Sequence, residues 1–164
     1  MPVHVALRSL PVSRGSWLAL VVAGALLSVP RPVAAFTFKD GSAMACVARG
    51  AVVLEVFAGP DDPFTRLNRI GLAEKTGDGY RITWNQSRLQ MLPPELHDFV
   101  FFHECAHATV PTESEPEANC AGLKAMRAAG RAGAAVEKRL RAMFPNNAYW
   151  TETFTCADRP EPAR

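Results

Sequence analysis

The sequence predicts an α+β domain: a small N-terminal antiparallel sheet packed on a C-terminal helical part that carries a His-Glu-x-x-His helix. Three observations lead there. β-branched and aromatic segments cluster between residues 51 and 85, helical patterns fill residues 94–143, and Gly- and Pro-rich breaks separate them. Ala51–Phe57 is apolar and β-branched, and Gly59-Pro60-Asp61-Asp62-Pro63 ends it as a turn. After a second turn at Gly77-Asp78-Gly79, the alternating segment Tyr80–Asn85 reads as another strand.

Pro93-Pro94-Glu95 supplies a helix start, with proline suited to the first turn and an acid at the positive end of the helix dipole. This helix is predicted over Pro94–Thr109, buried against the sheet through Phe99-Val100-Phe101-Phe102 and stopped by Pro111. A second helix is predicted from Ser114 or Glu115 to Gly130, and a third from Gly133 to Met143, closed by Pro145-Asn146-Asn147.

The first 35 residues have the layout of a secretory signal. Arg8 and Arg14 form a charged lead, Trp17–Val29 an apolar run, and Val33-Ala34-Ala35 a small-residue cleavage site, so the mature chain is expected to begin at Phe36. A run of about 13 residues falls short of the roughly 20 that span a bilayer, so no stable membrane anchor is expected after cleavage. Residues 36–157 are then one domain, in the periplasm or secreted, and residues 158–164, with Pro160 and Pro162, a disordered tail. Arg8, Arg14 and Arg31 and no acids lie in the signal, leaving a net charge of about −1. No basic surplus interleaved with aromatics remains, which argues against nucleic-acid binding.

Four cysteines, Cys46, Cys105, Cys120 and Cys156, favour two disulfides in an exported chain. Cys105 and Cys120 lie equally far from a turn near Thr112 and Glu113. A helical hairpin there would bring them level, leaving Cys46 to pair with Cys156.

His103 and His107, four apart, share one face of a helix and can hold one metal ion. Glu104, one step along, is set beside that metal, where it can take a proton from water. A third ligand is sought among Glu113, Glu115 and Glu117. With Ser114 as N-cap, Glu117 completes a capping box and Glu115 is left free; the rival box Thr112-x-x-Glu115 pushes Pro116 one position deeper. The first arrangement favours Glu115. His97, six residues before His103, falls on the wrong face for the metal and is expected at the surface.

At these positions the chain resembles the gluzincin metallopeptidases, through His103-Glu-x-x-His107 followed by Glu115-x-x-Ala118-Asn119. The resemblance covers roughly residues 82–121. It implies Zn2+ held by His103, His107 and Glu115, Glu104 as general base, and Asn119 steadying a ligand. Only seven residues separate His107 from Glu115, and position 119 carries Asn where many gluzincins carry Asp. The expected activity is hydrolysis of a peptide or protein substrate by zinc-bound water, with Tyr80 or Tyr149 stabilising the oxyanion and Tyr80–Asn85 holding substrate by strand addition. The alternative is a non-catalytic exported zinc-binding or partner-binding domain, whose closed site would recruit Glu113, Glu117 or His97 as a fourth ligand.

Overall fold

The computed structural model describes residues 35–160, Asp78 excepted. The expected signal up to residue 34, the middle of the Gly77-Asp78-Gly79 turn and residues 161–164 of the expected tail lie outside the described residues. Two antiparallel ribbons open the fold. β1 (Phe36–Thr37) pairs with β2 (Ala43–Met44), and β3 (Val47–Ala48) with β4 (Ala51–Val52). Arg49 and Gly50 join β3 to β4, both at positive φ (52° and 78°), as a tight two-residue hairpin requires. The strand predicted at Ala51–Phe57 forms in two pieces. Val53 turns inward and donates its N–H to the Cys46 carbonyl, ending β4 and releasing β5 (Leu54–Ala58) into the main sheet.

That sheet has the order β5-β7-β6, with β6 at Gly71–Thr76 and β7 at Gly79–Asn85. β6 runs antiparallel to β7, and β5 runs parallel to it in the register Glu55 with Ile82 and Phe57 with Trp84. The parallel pair arises because β6, unrecognised in the sequence, reverses the chain between β5 and β7. Its Gly-Leu-Ala-Glu-Lys-Thr run holds one β-branched residue, and Ala, Glu and Lys are depleted in strands.

The helical part follows. A short helix, α1 (Gln86–Met91), is capped by the Asn85 side chain, and α2 runs over Pro94–Thr109 as predicted. α2 is the central element. Its exposed surface is small because α3 (Glu115–Ala128) lies on one side and the sheet and β1–β2 ribbon on the other. Phe36, Phe38, Trp84, Phe101 and Phe102 meet in one aromatic cluster between α2 and these strands. The same packing corrects the placement of His97. It is only 6% exposed, its ring 4.8 Å from that of Phe36, although it is turned away from His103 as its helical phase requires.

α4 (Ala134–Met143) is followed by α5 (Ala148–Ala157), a helix beyond those predicted from the sequence. Asn147 caps α5, accepting from the Tyr149 and Trp150 N–H groups, and Trp150, Thr153, Phe154 and Ala157 form its buried stripe. Asp158, placed in the expected tail, instead ends α5 and pairs with Arg127 at 2.7 Å.

All four cysteines are in disulfides, but the pairs are Cys46–Cys105 and Cys120–Cys156. Helical phase is the reason. Cys105 lies two residues from His103 and from His107, about 200° around α2, so when the histidines face α3 it faces β3 and Cys46. Cys120 is thereby left to α5, where it meets Cys156. Each bond thus ties a helix to an element distant in sequence, and two buried crosslinks fit a non-reducing compartment.

Candidate metal centre

Two helix ends build the site. His103 and His107 stand one turn apart on α2, their Nε2 atoms 3.3 Å from each other. Glu115 occupies the first turn of α3, set there by the Ser114 N-cap, whose hydroxyl accepts from the Glu117 N–H. Its Oε2 lies 3.1 Å from His103 Nε2 and 3.8 Å from His107 Nε2. Ligand atoms roughly 2.0–2.1 Å from a tetrahedral zinc stand about 3.3–3.4 Å apart, so the three separations fit one small cation. These three residues are the group that can hold a metal ion among the described residues. Glu117 turns aside to accept a short hydrogen bond from the Thr112 hydroxyl, and Glu113 lines the adjoining cleft.

The ring orientations suit metal binding. His107 Nδ1 lies 2.7 Å from the Thr112 carbonyl, which can only accept, so Nδ1 carries the proton and Nε2 presents its lone pair. Burial and the neighbouring His107 push the His103 pKa down, against the opposing pull of Glu115, and this lowering favours the neutral ring that a metal needs. Asn119, buried in α3, sets its amide against His103 without full hydrogen-bond geometry, so that His103 Nδ1 and Asn119 Nδ2 lack formed bonds.

Close approach of the two helices makes this possible. A Cβ at Gly122 would lie 2.9 Å from the His103 backbone nitrogen, a contact that no side-chain rotation relieves. Alanine at that position gains about 1 kcal/mol of helix propensity but forces α3 off α2, which costs more. Gly122→Ala is therefore expected to lose about 1–2 kcal/mol in denaturant titration and to bind metal more weakly, because α3 carries Glu115. Unchanged stability and affinity would show that the contact relaxes freely.

Glu104 faces the sheet side of the same cleft. It is 8% exposed, and its Oε2 accepts the Ala73 N–H at 2.9 Å. Gly71 makes the room: a Cβ there would come within 2.7 Å of the Trp84 ring and 2.8 Å of the Glu104 side chain. Burial pushes the Glu104 carboxyl up to about 7, with the His107 ring and the Ala73 N–H pulling the other way.

Glu104 and His107 open into a cleft of about 690 Å³ between β6 and the Pro111–Glu113 loop. β7, proposed from the sequence to receive substrate, is paired on both sides and has no free edge. The sheet's edges are β5 and β6, and it is β6 that lies along the cleft. The Asn85 N–H donates to the Ile70 carbonyl, so by antiparallel alternation Gly71, Ala73 and Lys75 point their backbone groups away from β7, the Ala73 N–H being taken by Glu104. Arg49, Arg69 and Lys75 line the cleft with no ion-pair partner among the described residues, whereas Glu74 there is paired with Arg81 at 2.9 Å.

Of the two tyrosines, Tyr80 lines this cleft and Tyr149 lies beside Glu115 and Asn119. Sequence reasoning missed Gly71, Ala73 and the Thr112 carbonyl. Two of these act through the backbone and leave no residue-type signal, while the third is a glycine outside any motif. Comparison with family models, curated proteins and solved structures finds no match for the chain.

Proposed function

We propose that the chain is an exported zinc-dependent peptidase of gluzincin-like design. The observation that carries this is the juxtaposition of three ligand atoms at tetrahedral spacing with a buried acid that is not one of them, at one end of an open cleft. Export is supported by the signal-like layout of residues 1–35 and by the two disulfides.

His103, His107 and Glu115 would hold the zinc, which would supply Lewis acidity and lower the pKa of a water at the site. Glu104 takes the proton from the attacking water and delivers it to the leaving amine, a role suited by a carboxyl that titrates near neutrality. In this reading Tyr149, beside Glu115 and Asn119, donates to the developing oxyanion; burial and the Glu115 carboxylate push its hydroxyl's pKa up, which favours the protonated donor. The β6 edge holds an extended substrate backbone. A closed, purely structural zinc site needs a fourth protein ligand. His97 is packed on Phe36 and Glu117 is engaged by Thr112, which leaves that alternative only Glu113.

Zinc-loaded protein is expected to cleave members of a mixed pool of unstructured peptides, to lose this activity to a chelator and to regain it with zinc. No cleavage across the pool by correctly loaded protein would contradict the proposal. The basic wall of the cleft favours acidic peptides, and Arg49 permits a clean check because asparagine fits its positive φ better than arginine does. Arg49→Asn should fold as stably as the parent while its preference for acidic over basic peptides falls by about 2–5-fold, the reach of one exposed charge. An unaltered preference would remove Arg49 from substrate selection.

A further inference from the structure

Glu55, in β5, is a buried carboxylate outside the metal centre. It is 3% exposed, and no Lys, Arg or His side chain pairs with it among the described residues. Three N–H groups converge on it instead. Oε1 accepts from the Cys46 backbone at 3.2 Å, Oε2 from the Trp84 indole at 2.9 Å, and the Phe36 backbone N–H is directed at the same carboxylate. Burial pushes the carboxyl up in spite of these donors. A buried carboxylate with dipoles but no counter-charge is expensive to keep ionised.

The missing charge lies one bond away. Phe36 follows Val33-Ala34-Ala35, so cleavage after Ala35 converts its amide nitrogen into an α-ammonium group with two further protons. That nitrogen is already held in place. Phe36 is 1% exposed, its ring packs 4.9 Å from Trp84 and 5.0 Å from Phe101, and β1 pairs it with Met44.

We propose that Glu55 is the binding site for the α-ammonium group of a chain beginning at Phe36, so that N-terminal processing installs a buried ion pair. The pair braces the metal centre from behind. Glu55 holds Cys46, whose disulfide enters α2 at Cys105 next to Glu104, and it holds Trp84, whose ring and the Glu104 side chain share the space left by Gly71. None of this depends on which metal is bound or on any peptidase activity.

The test uses two chains released from an N-terminal fusion, one beginning at Phe36 and one retaining Ala35, each with Glu55 and with Glu55→Gln. The Phe36 chain is expected to melt several degrees higher than the Ala35 chain, and the difference to vanish with Glu55→Gln. Its terminal amine should also resist acylation at least ten-fold more strongly than that of the Ala35 chain. Equal melting temperatures, or a difference that survives Glu55→Gln, would overturn the proposal. Should the glutamine variant fail to fold, amine reactivity in the two Glu55 chains decides: protection confined to the Phe36 chain supports the pair, and equal reactivity overturns it. The mass of the chain processed by a secreting host is expected to correspond to a Phe36 start, and another start would also count against it.

Discussion

Replacing Glu104 with glutamine is expected to lower peptide hydrolysis by on the order of 10³-fold while leaving the metal bound. Glutamine keeps the shape of the side chain and can still accept the Ala73 N–H through its amide oxygen, so neither β6 nor the packing against Trp84 need move. What is lost is the capacity to take and return a proton. The three ligand atoms belong to other residues, so metal content should not change. Loss of metal together with activity would instead make Glu104 a ligand or a support for one. Retention of activity would remove it from the proposed reaction.

The second large effect is on stability in the metal-free protein. Glu104 has a folded value of about 7 against 4.5 when exposed, so its folded state favours the proton. Its contribution is therefore fully present below about pH 4.5 and is lost as pH rises through 7, a change of about 3 kcal/mol. His103, held low by burial, works in the opposite sense, contributing stability that is present above its unfolded value and lost as pH falls. The comparison with Glu104→Gln separates the two, since His103 is common to both proteins. Denaturant titrations should show the glutamine variant gaining on the parent as pH rises from 4.5 to 7. A constant gap would mean that Glu104 titrates as an exposed acid.

Much of the helical part was legible because its signals are local. Pro94 and Pro111 bound α2, Ser114 caps α3, and the spacing of His103 and His107 carries their shared face regardless of what surrounds it. α5 was also within reach, since Asn147 is an ordinary N-cap and its apolar stripe has helical spacing, but three threonines weaken its helix propensity. The losses elsewhere have a common origin in long-range placement. β6 has little strand propensity and exists because β7 pairs with it. The disulfide partners depend on which way Cys105 faces, and equal distance from a turn does not fix that. His97 was expected at the surface because its own helix says nothing of Phe36, 61 residues earlier in the chain. At the site, the chemistry-bearing side chains could be read from the sequence, whereas the backbone groups of Ala73 and Thr112 that orient them could not.

The most direct test of the proposed centre is elemental analysis of purified protein, residues 36–164, beside Glu115→Ala and Glu117→Ala. One zinc per chain is expected in the parent and in Glu117→Ala, with most of it lost from Glu115→Ala. Correctly folded, disulfide-bonded parent protein that takes up no zinc, or a Glu115→Ala variant that keeps its full complement, would contradict the site described by His103, His107 and Glu115.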